Sequence, residues 1–315
     1  MHVETSLLNM KHINMKHNLR FLNIKKLQII DAIARTGSFS QAAEDLNCVQ
    51  PNISHRVKDL EERLGVTLIN RGSRRASLTS TGMVLNGYAE RLLYLTNEAE
   101  RAVLESVDKG GYLNLGSMET TAAIRLSPIL VQFHNQFPKV NISLVTGPTK
   151  RSIKGVFNYE LDAAFVAGEV KHKDIVSEHV FTEELVLVRP KGIDIDDAET
   201  ITGQTLIVFH EGCTYRNLSE RWADDKGLVV SAKMQFGSLD SILGLIAAGM
   251  GMTLLPRSVV ESKIYRATYG DYISVEKIAD KFATIKTHFI RHRDTFLTKP
   301  MKALLGMVED GGKTG

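Results

Sequence analysis

Between Gln50 and Lys58 the chain carries two amides, a hydroxyl, an imidazole and two cations in one short stretch: Gln50, Asn52, Ser54, His55, Arg56 and Lys58. An amide can donate to and accept from adenine at once, and hydroxyls and cations reach base edges or phosphates. The chemistry open to such a set is recognition of a polyanion. The alternative is the solvated polar face of an ordinary amphipathic helix, because Glu61 and Glu62 follow directly. Charge distribution bears on the choice: residues 1–85 hold 12 Lys and Arg against 7 Asp and Glu, whereas residues 86–315 hold 27 against 29. The basic excess is concentrated around the candidate surface, which also includes Arg71, Arg74 and Arg75.

A second group of candidates sits where apolar runs give way to amphipathic ones. The junctions are Ser117 to Thr121, Thr146 to Thr149, Ala167-Gly168, His210 to Thr214 and Gly237 to Leu239. Small hydroxyl residues and glycines at helix starts present backbone N–H groups to an anion. The candidates for a small carboxylate or other anion are Ser117, Met118, Thr120, Thr121, Thr146, Gly147, Thr149, Ala167, Gly168, Cys213, Thr214 and Ser238. Each junction taken singly is also ordinary helix capping.

Catalytic patterns are missing. His210-Glu211 has no second histidine at zinc-helix spacing, no serine sits in a Gly-x-Ser-x-Gly elbow, and no full Gly-x-x-x-x-Gly-Lys-Ser/Thr phosphate loop occurs. The ten histidines and two cysteines form no metal-ligand spacing. The sequence therefore predicts no catalytic residue, no metal and no cofactor. Cys213 follows Glu211-Gly212 at an expected helix start, where the dipole would lower a thiol's pKa, so a thiol switch is a competing reading. The one other cysteine, Cys48, lies far away in the N-terminal region. Two unlinked cysteines fit a reducing compartment.

The elements that must position these residues follow from periodicity. Leu27, Ile30, Ile33 and Ala34 make one face of a helix that Gly37 ends. Ser38 or Ser40 opens a short helix over Ser40–Asn47, with Ala42 and Ala43 small where two helices approach. Gln50-Pro51 starts a second, with the proline in the first turn. Its inward stripe is Ile53, Val57, Leu60 and Leu64, and Gly65 stops it. Gly65 to Arg71 and Ala76 to Thr79 then read as two strands of a wing around a basic turn. From Ser80 to Ser106 one long helix carries an apolar seam of Leu85, Tyr88, Leu92, Leu95, Ala99 and Ala102, the pattern of a pairing helix. The alternative is a helix lying on its own domain.

Beyond Asp108 to Gly111 the pattern is α/β. Strands are expected at Tyr112–Gly116, Val140–Val145, Ala163–Val166, Leu185–Val188, Leu206–Phe209, Lys233–Phe236, Met252–Leu254 and Thr287–Arg291. Helices are expected at Thr120–Phe137, Arg151–Tyr159, Tyr215–Lys226, Ser241–Ala248 and Phe296–Val308. The run from Leu243 to Leu255 is too short and glycine-rich to span a bilayer. Residues 1–20 hold no apolar leader and are expected to be a disordered extension.

This order of residues resembles the LysR-type transcriptional regulators. The resemblance is carried by Gly37-Ser38-Phe39, Ala42-Ala43, Leu46, Gln50-Pro51, Ser54, Leu60-Glu61, Leu64-Gly65, Leu68, Arg71, Leu78-Thr79 and Gly82. It implies an N-terminal winged helix-turn-helix (21–82), a dimerising linker helix (83–109), and a two-lobed effector domain similar to periplasmic solute-binding proteins. By that resemblance lobe I covers 110–168 and 273–315 and lobe II 169–272, with crossings near Ala167–Glu169 and Asp271–Val275. It also implies that Gln50, Pro51, Ser54, His55 and Arg56 read bases of a promoter operator in double-stranded DNA. Further implications are a cytoplasmic homo-oligomer, dimer or tetramer, a small-molecule effector between the lobes, and RNA polymerase as a further partner. A competing class is a cytosolic small-molecule or thiol sensor acting through protein contacts. Two positions depart from the family pattern. Val49 stands where a capping serine is usual, costing about 1 kcal/mol of helix start unless Asn47 substitutes, and His55 replaces a common basic residue.

Overall fold

The computed structural model describes residues 22–71, 75–106, 110–192, 205–278 and 281–312, in two compact units divided between Asn97 and Glu98. The expected extension 1–20 lies outside them.

In the first unit, α1 (Ile24–Thr36) opens where the Asn23 side chain accepts from Lys26 N–H, and it ends at Gly37 with φ 67°. Helix α2 (Phe39–Asp45) is capped by Ser38, whose hydroxyl oxygen accepts from Gln41 N–H. It closes in a Schellman turn: Cys48 N–H donates to Ala43 O (2.8 Å) and Asn47 N–H to Glu44 O (3.0 Å), with Asn47 left-handed at φ 50°. Asn47 is thus spent on ending α2. Helix α3 (Gln50–Leu64) starts from Val49 with no side-chain cap, and Gly65 (φ 68°) stops it. Ile30, Ile33, Ala42, Ala43, Ile53, Val57 and Leu60 form one core with Leu68 and Ile69. The wing strands shrink to β1 (Ile69–Asn70) and β2 (Ser77–Leu78), because Gly65 is taken by the helix cap. Helix α4 (Ser80–Ser106) has the span expected of it.

The second unit is built on a seven-stranded mixed sheet. Strand β3 (Gly111–Ser117) lies parallel to both β4 (Val140–Thr146) and β5 (Ala163–Ala167). Between β3 and β4 run α5 (Glu119–Thr121), a π turn (Ala122–Leu126) and α6 (Ser127–Gln136); α7 (Thr149–Phe157) precedes β5. Strand β6 (Ile175–Pro190) is 16 residues long and changes partners along its length. Up to Glu184 it pairs antiparallel with β11 (Thr284–His292), and from Leu185 onward with β9 (Thr253–Pro256) and β10 (Ile273–Lys277). A separate parallel pair, β7 (Thr205–Phe209) and β8 (Ala232–Phe236), connects to this end through a Leu206–Met252 bridge. Helices α8 (Thr214–Asp225), α9 (Leu239–Ala247), α10 (Arg257–Val260) and α11 (Lys263–Tyr269) belong to it, and α12 (Lys299–Gly312) closes the chain.

The partner change gives two lobes. Pairing switches at Glu184–Leu185 outward, and the return runs between Lys277 and Thr284. Both points fall later than the 167–169 and 271–275 read from the sequence. The first half of β6, Ile175 to Glu184, has four apolar residues in ten and no period-2 alternation, so its strand conformation rests on pairing with β11, far along the chain. The first lobe's core holds Phe133, Phe165 and Phe289, with the last two rings 5.3 Å apart edge to face. The second lobe's holds Ile242, Leu243, Ile246, Leu255 and Val259. Each such burial contributes about 1.5–3 kcal/mol before entropy is charged. Among the described residues no helix is long and apolar enough to cross a membrane.

In the first unit Lys26, 8% exposed, donates to Asp59 at 2.5 Å, and Arg63 pairs with the other oxygen at 2.6 Å. Hydrogen bonds from Lys26 and then Arg63 hold the Asp59 carboxyl at about 2 against an ordinary 3.8. A depressed carboxyl stabilises the fold above its unfolded value and loses that contribution as pH falls through the folded one. Asp59→Asn should therefore lower the unfolding midpoint of the N-terminal unit at pH 7, with the gap from wild type closing between pH 4 and pH 2. A gap that is constant across that range would show that the charge is not the cause.

Candidate nucleic-acid interface and inter-lobe cleft

Because Ile53, Val57 and Leu60 point inward, helical spacing turns the other side of α3 to solvent. Gln50, Pro51, Asn52, His55 and Lys58 are exposed, and Ser54 and Arg56 are half-buried. Local pairs order this face: Gln50 Nε2 donates to Ser54 Oγ (3.1 Å), Arg56 Nε donates to Asn52 Oδ1 (2.9 Å), and Lys58 meets Glu62 at 3.6 Å. An open concavity of about 610 Å³ brings Gln50 and Ser54 together with Arg71 and Arg75 of the wing and with Ser38 and Gln41 of α2. Pro51, Asn52, His55, Arg56 and Lys58 lie along the helix outside it. Arg74 lies outside the described residues. Amide and hydroxyl groups at a helix start, flanked by guanidinium groups, suit a polyanion whose backbone is gripped while its edges are read.

On α4, Tyr88, Leu92 and Leu95 are 64%, 40% and 43% exposed. Ala99 is exposed too, and Ala102 half-buried. Leu85 leaves the row: it packs against the core of α1 to α3. What remains is an exposed apolar stripe extended by Val84 and Val103, a surface type associated with protein contacts.

The second site is a cavity of about 220 Å³ between the lobes of the second unit. Met118, Glu119, Thr120, Thr146, Gly147, Pro148 and Arg151 line it from the first lobe, and Phe209, His210, Cys213, Tyr215 and Gly237 from the second. Its floor is desolvated. Thr120 and Tyr215 are 3% and 2% exposed, and their hydroxyl oxygens are buried without a hydrogen-bond partner among the described residues. The two hydroxyls are neighbours, yet neither completes a bond of normal geometry to the other. Burial pushes the Tyr215 hydroxyl up, so it stays a neutral donor. The rim is polar, with Arg151, His210 and Thr146 exposed. Across the cleft, Leu239 N–H donates to Glu119 Oε1 (3.1 Å) and Lys150 N–H to Gly212 O (3.3 Å). Glu119 thereby supplies the cap that Ser238 does not give α9.

Of the residues singled out from the sequence, Met118, Thr120, Thr146, Gly147 and Cys213 line the cavity. Ser117 is fully buried and donates to Met118 O (3.0 Å), and Thr121 is buried beside it. Thr149 accepts from Ala167 N–H and Thr214 donates to Ala167 O, both at 3.5 Å, and both threonines face an outer groove with Lys150 and Arg216. Gly168 (φ 89°) turns the chain after β5. Arg151 and Tyr215 were not singled out. The available signal was position, since side chains in the first turn of a helix lean back toward its N-terminus and hence into the cleft. Cys213 corrects a second expectation: the thiol is pushed up, because burial outweighs the N–H groups of Arg216 and Tyr215.

Comparison with known proteins adds the following. Residues 24–83 match the family model described as bacterial regulatory helix-turn-helix protein, lysR family, and residues 108–313 match the LysR substrate binding domain. The HTH-type transcriptional regulator GltR of Bacillus subtilis (strain 168) is 40% identical over 293 residues, covering 92% of this chain and 97% of that protein. Among solved structures, full-length CbnR complexed with its target DNA superposes with a TM-score of 0.63 at 19% identity, over 92% of this chain and 100% of that one. Full-length OxyR from Pseudomonas aeruginosa gives 0.66 at 21% identity, over 93% and 95%. At these identities the structures speak to the fold alone.

Cys48 is exposed and Cys213 buried with its thiol pushed up. Thiol titration of the native chain at pH 8 should therefore show one fast-reacting cysteine, removed by Cys48→Ser. A fast phase that survives in that variant would make Cys213 a reactive thiol after all.

Proposed function

The chain belongs to the LysR-type family of transcriptional regulators, and we propose that it is a cytoplasmic homo-oligomer that binds a partly palindromic promoter operator and alters transcription when a compact anion occupies the cleft. The observation that carries the effector half is the pair of buried hydroxyls, Thr120 and Tyr215, left without partners inside a 220 Å³ cavity. A buried donor without an acceptor costs about 1–3 kcal/mol. A ligand carboxylate would accept from both, with the Arg151 guanidinium at the rim meeting its charge and Met118 and Phe209 covering its carbon skeleton. The DNA half is supported by the Gln50, Ser54, Arg71 and Arg75 concavity and by the fold shared with a regulator solved on its target DNA. The apolar stripe of α4 would pair two subunits. A thiol switch at Cys213 has the burial of that group against it.

Gln50→Ala should cost about 1–3 kcal/mol of discrimination for the operator while non-specific binding survives, measured by competition against random duplex. An unchanged preference would remove Gln50 from base reading. Thr120→Val keeps shape and removes a donor. A carboxylate library screened by thermal shift should give hits on the wild type that this variant loses, with its DNA affinity intact; hits retained by the variant would put the ligand elsewhere.

A further inference from the structure

Glu61 lies near the C-terminal end of α3, yet both of its carboxylate oxygens are committed to the wing. Oε1 accepts from Leu68 N–H (2.8 Å) and Ile69 N–H (3.1 Å). Oε2 accepts from Arg71 Nη2 at 2.9 Å. The carboxylate is 14% exposed and the guanidinium 46%. Leu68 and Ile69 are core residues, so their N–H groups need an internal acceptor, which β2 on the far edge of a two-residue ladder does not supply to both. The guanidinium of Arg71 is held from its other side by the ring of Phe39, 5.6 Å from the centroid. Phe39 opens α2, and Arg71 faces the concavity that also holds Gln50, Ser54 and Arg75. One arginine that lines the concavity is therefore held by a carboxylate from the recognition helix and a ring from the helix before it.

We propose that Glu61 is a positioning residue for DNA recognition, holding the Arg71 guanidinium in one place relative to the start of α3 and trimming its charge. The proposal rests on the DNA-binding reading of that surface. A guanidinium left loose on the wing would grip any phosphate from many positions, whereas one held by Glu61 and Phe39 meets the backbone only in the register that also seats Gln50 and Ser54. The carboxylate also offsets one positive charge, which lowers affinity for DNA of arbitrary sequence. Both effects favour the specific complex over the non-specific one.

The test uses the full-length chain, a duplex selected by that chain from a randomised pool, and random duplex as competitor across a salt series. Glu61→Gln keeps an amide oxygen for the Leu68 and Ile69 N–H groups but loses the ion pair. Random-duplex affinity should rise, its salt slope should steepen by up to about one unit, and the specific-to-random ratio should fall about tenfold. Arg71→Ala should cancel the positioning effect: in that background Glu61→Gln leaves the specific-to-random ratio unchanged. Arg71→Lys, which keeps the charge but not the planar fork, should lower the ratio with the wing intact and covers the case in which Glu61→Gln fails to fold. A Glu61→Gln protein of native stability with an unchanged ratio, or a fall in the ratio that persists without Arg71, would overturn the proposal. Failure of the wild type to select any duplex would instead overturn the DNA-binding reading beneath it.

Discussion

The buried carboxylate of Glu183 sits at the point where β6 stops belonging to one lobe and starts belonging to the other. At 5% exposure its oxygens need hydrogen-bond partners inside the protein. Each oxygen has its own partner at 2.7 Å: Arg125 Nε donates to Oε1 from the first lobe, and Ser258 Oγ donates to Oε2 from the second. The next residue, Glu184, takes two hydrogen bonds from Arg257, at 2.7 and 3.2 Å. Removing one partner of a buried pair strands the other charge, at about 3–5 kcal/mol, so this junction resists sliding. Arg125 belongs to the π turn that directly follows Met118 to Thr121, and its guanidinium lies 5.7 Å from the Phe181 ring. The first-lobe wall of the cleft is therefore fastened to the same carboxylate that joins the lobes.

Two recognition surfaces with opposite physics result. On α3 and the wing Lys58, Arg71 and Arg75 are exposed, and their interaction with a polyanion would act at long range and weaken with salt. In the cleft the donors that matter are neutral hydroxyls out of contact with water, with charge confined to the rim. Hydrogen bonds made there are stronger and less sensitive to salt, and they depend on shape at the scale of a single methyl group. Among the described residues, hydrogen bonds across the cleft include Glu119 to Leu239, Lys150 to Gly212 and Thr214 to Ala167. A ligand that competes with or adds to such contacts can shift the lobes by a free energy of ordinary size, about 1–3 kcal/mol.

Much of this was legible in the sequence where local rules decide. Gly37 and Gly65 mark helix ends because each takes a left-handed conformation there, and the α3 stripe of Ile53, Val57 and Leu60 follows from a period of 3.6. The span of α4 follows from its apolar seam, although Leu85 was drawn into the neighbouring core because a seam and a core look alike in one dimension. The first half of β6 and all of β10 were missed as strands, since both depend on partners distant in sequence. At the cleft, the small polar junction residues were identified, but Ser117 turned out to be used internally, and Arg151 and Tyr215 enter through helix-turn geometry that composition does not carry. For Cys213 the sign was inverted because a helix dipole is visible in sequence and desolvation is not.

On the proposed function, cleft occupancy and operator binding are coupled in one chain. Linkage makes that coupling reciprocal: a ligand that changes operator affinity by some factor must itself bind with affinity changed by the same factor when the operator is present. Isothermal titration of a cleft ligand into the full-length protein, with and without saturating operator duplex, measures it directly. Coupling requires two different dissociation constants whose ratio equals the ligand-induced change in operator affinity, and a Thr120→Val protein that shows neither. Equal ligand affinities in the two titrations would contradict it.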